Sequence, residues 1–196
     1  RIDSVGRFLL GTTGARVFGG GTSPHFQIEG LSEQAAHLTI TRVTNDTYGS
    51  VLGLAKSRGT SLGSNTIVQD NDTLGVIQFR GTDGSDIYSV AASIHAEVDG
   101  SPSDGTDMPG ALVLGTTADG AASPTERLRI GSNGKIGINE GTPQQQLHVH
   151  DDNNYQGILI NGNSAPRIAF ARSTTTTGEW SVGIDGTNGN QFVINN

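Results

Sequence analysis

His148 and His150 are the two residues whose type and spacing come nearest to metal chemistry. Imidazoles two positions apart share one face of a strand. Three such strands around a three-fold axis would offer six of them to a transition metal. An internal repeat argues the other way. Leu147-His-Val-His150 lies over Phe26-Gln-Ile-Glu29, so the histidines stand where Gln27 and Glu29 stand. Gln is a poor ligand for such a metal, and Glu is costly on a dry axis. The pair is therefore expected to face solvent, with no metal and no cofactor.

Other candidates fare similarly. Asp70-Asn-Asp72, Asp83 to Asp86 and Asp151-Asp-Asn-Asn154 offer oxygens suited to calcium, but none completes a calcium-loop pattern. Asp and Asn are also the usual residues of turns. Paired carboxylates would serve glycoside hydrolysis, yet no local motif pairs Glu126, Glu140 or Glu179. Neither a nucleophile elbow nor a phosphate-binding G-x-x-x-x-G-K-[ST] occurs. The chain is read as no enzyme. Sugar binding uses aromatic faces beside polar groups. That makes Trp180 and Tyr155 the candidate glycan contacts, with Tyr48 and Tyr88 behind them.

The elements that must position these residues are short strands. In Glu126-Arg-Leu-Arg-Ile-Gly-Ser-Asn-Gly-Lys-Ile-Gly-Ile-Asn139, Leu128 and Ile130 alternate with arginines, and Ile136 and Ile138 with Lys135 and Gly137. Period-two alternation puts each apolar pair on one strand face. Ser132-Asn-Gly134 between them is turn chemistry. The same stretch opens the chain. Arg1-Ile-Asp-Ser-Val-Gly-Arg7 lies over Arg129 to Lys135, and Phe8 and Leu10 fall where Ile136 and Ile138 fall.

The repeat extends further. Leu38-Thr-Ile40 matches Ile158-Leu-Ile160, and Val51 to Ser57 matches Arg167 to Ser173. Ile77 to Gly84 matches Val182 to Gly189. Leu38–Ile40, Leu52–Leu54, Val76–Phe79, Leu112–Leu114 and Ile158–Ile160 are expected strands. Ile87 to Val98 is the longest, with Ala92, Ile94, Ala96 and Val98 on one face and Ser93, His95 and Glu97 on the other. No copy of that last stretch is read before the chain stops. Residues 1–25 are read as the end of a preceding β-module and a linker, 26–128 as a β-rich module, and 129–196 as a second, partial copy. Starting inside a repeated motif, the sequence reads as a piece of a longer polypeptide.

Of the 196 residues, 33% are hydrophobic and 29 are Gly, which has no side chain to bury. A single chain has little from which to build a core, so pooling of apolar faces between copies is expected. The predicted architecture is all-β, built from short strands. The predicted packing residues are Leu128, Ile130, Ile136, Ile138, Leu147, Val149, Ile158, Ile160, Ile168 and Phe170. The net charge of −7 and the lack of a Lys/Arg cluster exclude the electrostatic footprint of a nucleic-acid binder. No stretch is long and apolar enough for a membrane helix. With no Cys there is no disulfide framework.

These motifs resemble a family. Glu126-Arg-Leu-Arg-Ile-x-x-x-Gly-Lys-Ile-Gly-Ile-Asn, followed by Pro143 and Leu147-x-Val149, resembles the recurring motif of tailed-bacteriophage tail-fibre proteins. It is of the type found upstream of endosialidase-type chaperone domains. Arg1 to Thr13, Gly75 to Gly84 and Pro109 to Thr117 are similar to further motifs of that family. The resemblance implies an elongated, homotrimeric fibre segment on a virion, built as a triple-stranded β-helix, a β-prism or packed β-sandwiches, attached to other tail proteins and meeting a host-surface glycan or protein. A polysaccharide-degrading tailspike fragment, a head fibre and a bacterial adhesin stalk are the alternative readings.

Overall fold

The computed structural model describes residues 1–18, 22–150, 158–160, 167–170, 180–185 and 191–195. They fall into two units, Arg1–His148 and Val149–Asn196, taken here in turn. Among the described residues the structure is all-β, with one 3₁₀ turn at Gln34–Ala36 and no α-helix.

The first unit opens with β1 (Phe8–Leu10) and β2 (Phe26–Ile28), a parallel pair in which Phe8 stacks on Phe26 at 5.2 Å. Its main body is a six-stranded sheet. The strands are β3 (Thr73–Gly81), β4 (Ser89–Val98), β5 (Gly110–Thr116), β6 (Thr125–Ile130), β7 (Ile136–Ile138) and β8 (Leu147–Val149), side by side in chain order. From β3 to β7 each strand pairs antiparallel with the next, as a chain that doubles back on itself allows.

The register sorts the side chains. Ile77 pairs with Ile94, Ile94 with Leu114, Leu114 with Leu128, and Leu128 with Ile138. One step along, Ala96 pairs with Leu112, Leu112 with Ile130, and Ile130 with Ile136. Because side chains alternate along a strand, these residues form one continuous apolar face. His95, Val113 and Arg129 pair across the other face. β5 shows the division most plainly. Ala111, Val113 and Gly115 are buried, while Leu112 and Leu114 are exposed. Among the described residues the buried apolar side chains are only Leu9, Val68, Val98, Ala111 and Val113.

The repeat is present in the hydrogen bonds. Asp3 N–H donates to Arg7 O and Gly6 N–H to Asp3 O; Gly131 N–H donates to Lys135 O and Gly134 N–H to Gly131 O. Gly6 and Gly134 both sit at positive φ, 83° and 77°. Phe8 N–H donates to His25 O as Ile136 N–H does to Gln146 O. The two copies of the opening motif therefore share one turn and one strand attachment.

The second unit contains β9 (Arg167–Phe170), β10 (Trp180–Asp185) and β11 (Gln191–Asn195), antiparallel with β10 in the middle. β11 lies against β10 as β4 lies against β3: Val182 pairs with Ile194 where Ile77 pairs with Ile94. The sequence reading ended the second copy before such a strand.

Three expected strands differ. Leu38–Ile40, Leu52–Leu54 and Ile158–Ile160 are not strands, and all are exposed. Alternation makes a segment fit for a sheet, but a strand exists only when its backbone groups find a neighbour. Among the described residues none of the three is paired with a neighbouring strand.

Candidate functional site

Charge chemistry concentrates on the polar face of the sheet. An extra residue in β6, Arg127, breaks the pairing between Leu114–Leu128 and Gly115–Glu126. Such a bulge re-aims side chains. It turns Glu126 away from the Leu128 face and onto the Arg129 face. Arg129 donates from Nη2 to Glu97 Oε1 at 2.6 Å and to Glu126 Oε2 at 3.0 Å, and from Nε to Glu126 Oε1 at 3.0 Å. Asp99 Oδ1 lies 3.9 Å away, and His95 Nε2 lies 3.5 Å from Glu97 Oε2. The Glu126 hydrogen bonds and then those of Glu97 raise the Arg129 pKa. A fixed guanidinium between carboxylates, set over the buried Val113, is a structural clamp.

A cleft lies where residues 16–18 and 28–31 meet the 82–88 loop. One lobe of about 440 Å³ is lined by Arg16, Phe18, Ile28, Glu29, Leu31 and Ile87. A second of about 530 Å³ is lined by Arg16, Val17, Thr82, Ser85, Asp86, Ile87 and Tyr88. Both volumes are of ligand-pocket size. Arg16 is fixed there from two sides. Its N–H donates to Gln27 Oε1 at 3.1 Å, and its Nε lies 3.1 Å from Glu29 Oε1. Gln27 itself is buried and donates to Glu29 at 2.6 Å. Asp86 accepts from Tyr88 N–H at 2.8 Å. The lining thus combines an arginine, two carboxylates, hydroxyls and a phenol with the apolar side chains of Val17, Phe18, Ile28 and Ile87.

The structure places the other candidates as follows. His148 is half-buried, with Nδ1 3.7 Å from Glu140 Oε2, and His150 is exposed. No group of three or more metal-binding side chains is found among the described residues. Asp70 Oδ1 accepts from Gly100 N–H, and Asp72 is tied to Arg58 by two hydrogen bonds that lower its pKa. Asp83 accepts from the N–H groups of Ser85 and Asp86, which lower its pKa. Glu140 accepts from Thr142. Asp151–Asn154, Tyr155 and Glu179 lie outside the described residues. Trp180 opens β10, paired in register with Phe170 of β9. Tyr48 is exposed, with the Arg42 guanidinium 5.8 Å above its ring.

Of the predicted packing residues, Leu128, Ile136 and Val149 are half-buried in the single chain. Ile130, Ile138, Leu147, Ile158, Ile160 and Ile168 are exposed. No helix among the described residues is long and apolar enough to cross a membrane.

No family model matches the chain, and no curated protein does. Solved structures do. The carboxy-terminal domain of the bacteriophage T5 L-shaped tail fibre is similar at 11% identity and a TM-score of 0.48, over 76% of this chain and 77% of that one. The same domain with its intra-molecular chaperone domain is similar at 15% identity and a TM-score of 0.46, over 79% of this chain and 50% of that one.

Sequence reasoning did not find the cleft. Arg16 carries no motif, and Asp86 was read only as one of a turn-forming acidic group. Alternation put Gln27 with Glu29 on the solvent side, but the structure buries Gln27 and leaves Phe26 exposed, and a buried polar side chain must find partners. Its partners, Arg16 and Glu29, build one wall.

Proposed function

We propose that this chain is a structural and host-recognition segment of a tailed-phage tail fibre, working as a homotrimer on the virion. The apolar face of the six-stranded sheet carries the reading. Leu112, Leu114, Ile130 and Ile138 are each more than a third exposed on it, while only five apolar side chains are buried among the described residues. Monomeric proteins rarely leave so large an apolar patch in water. The motifs of the sequence supply the family, and the motif order that carries the resemblance runs through this sheet.

Attachment would use weak sugar contacts multiplied by three chains and by several fibres. The cleft at Arg16, Asp86 and Tyr88 is the place for such a contact. The test has two arms. Sedimentation equilibrium of the purified chain should give three times its mass of 20.3 kDa. Immobilised bacterial lipopolysaccharides should retain it, and Tyr88→Ala should weaken retention about tenfold, or about 1.4 kcal/mol, while Tyr48→Ala does not. A folded monomer retained by none of these surfaces would overturn the proposal.

A further inference from the structure

The outer edge of β3 is open in this sheet, because β3 is the first strand of the order. Its counterpart in the second copy is not. β10 is central, with β11 on one side and β9 on the other. β9 begins the stretch Arg167–Ser173, whose match in the first copy is Val51–Ser57. The repeat thus supplies a strand for the open edge of β3, and the structure leaves that segment unpaired: among the described residues, 51–54 make no hydrogen bond.

We propose that residues 51–54 of the same chain form a further strand on β3, antiparallel, with Leu54 opposite Gly75 and Leu52 opposite Ile77. The register comes from the second copy. There Phe170 pairs with Trp180 and Ile168 with Val182, at the positions of Leu54 with Gly75 and Leu52 with Ile77. Two observations independent of the repeat agree. Leu54 already lies against Gly75: a Cβ built on that glycine would stand 2.5 Å from the Leu54 Cβ. Gly75 leaves room on the sheet, and Leu54 occupies it. The faces agree as well. Gly75 and Ile77 lie on the apolar side of β3, so this register puts Leu52 and Leu54 there and sends Val51 and Gly53 to the other side. A register slipped by one residue would reverse all four.

The extra strand closes an edge that otherwise offers free N–H and C=O groups to any passing strand. It also widens the apolar face by two leucines. The proposal rests on the repeat and on Leu54, and it holds whether or not the chain is a fibre segment.

The chain contains no Cys, which makes disulfide trapping clean. Two double variants test the register, Leu52→Cys with Ile77→Cys and Gly53→Cys with Val76→Cys. Neighbouring pairs in an antiparallel ladder alternate in geometry, so one of the two suits a disulfide. The slipped control is Leu52→Cys with Val76→Cys. Under mild oxidation an in-register pair should cross-link at least about tenfold faster than the control, within one chain on a denaturing gel. Cross-links equally fast in the control overturn the register. Cross-links only between chains assign the strand to a neighbouring copy and overturn the same-chain proposal. Hydrogen exchange on the unmodified protein covers the case in which the variants fail to fold. The amides of 51–54 that face β3 should be protected, and exchange of all four at the free-peptide rate overturns the proposal.

Discussion

Asp3 shows how much of this fold depends on single carboxylates. Its Oδ1 accepts from the N–H groups of Val5 and Arg7, and its Oδ2 from Arg7 Nε at 2.7 Å. The Arg7 backbone bond leads in lowering its pKa from 3.8 to about 2. Asp99 does related work in the large sheet. It accepts from Ser132 N–H at 2.7 Å, which holds its pKa below the usual value. A depressed carboxylate contributes stability above its unfolded pKa and loses it as pH falls through the folded one. The thermal midpoint should therefore gain nothing from these groups between pH 7 and 5, and should fall below about pH 4. Asp3→Asn isolates one of them. Its deficit against the parent protein should be largest near neutrality and shrink from pH 3.8 to about 2. A deficit independent of pH would show that the charge of Asp3 contributes nothing.

At the scale of elements, alternation located β3 to β8 because each has a neighbour in the chain. It located Leu38–Ile40 and Leu52–Leu54 equally well as candidates, and there the structure shows no ladder to a neighbouring strand. The Ser132-Asn-Gly134 turn was legible because its conformation is local: Gly134 takes the positive φ, and Asn133 Oδ1 accepts from Lys135 N–H at 2.9 Å. The bulge at Arg127 was not legible. Its sequence continues the alternation of β6 without a break, and only the pairing with Gly115 reveals the extra residue. The cleft was illegible for a related reason, since Arg16 and Tyr88 meet through folding rather than spacing. The turn itself yields an outcome to check. Gly134→Ala should cost about 1 kcal/mol in denaturant unfolding, because an L residue is strained at that φ. Gly81→Ala, with open space around its Cβ, should stay within about 0.5 kcal/mol. If both are neutral, the turn is not held in the left-handed conformation.

At the scale of the whole molecule, the sheet separates two kinds of stability. The polar face is settled within the chain by Arg129 and its carboxylates. The apolar face gains its stability only when something covers it. Completing the burial of about nine half-exposed aliphatic side chains contributes on the order of 10 kcal/mol per chain, the whole stability of an ordinary domain. If copies of the chain cover this face, as proposed, folding is coupled to assembly and the unfolding temperature should rise with concentration. Leu114→Asp and Ile138→Asp place a carboxylate in the covered face at a cost of several kcal/mol, whichever copy covers it. Both should abolish the concentration dependence and leave monomer in sedimentation. Gln78→Asp, exposed on the other face of β3, should keep the assembly. So should Lys135→Ala, which loses only a 3.0 Å bond to Gln144 O at the surface. Equal tolerance on the two faces would mean that the exposed leucines and isoleucines are ordinary surface, and that the chain is stabilised without a partner on this side.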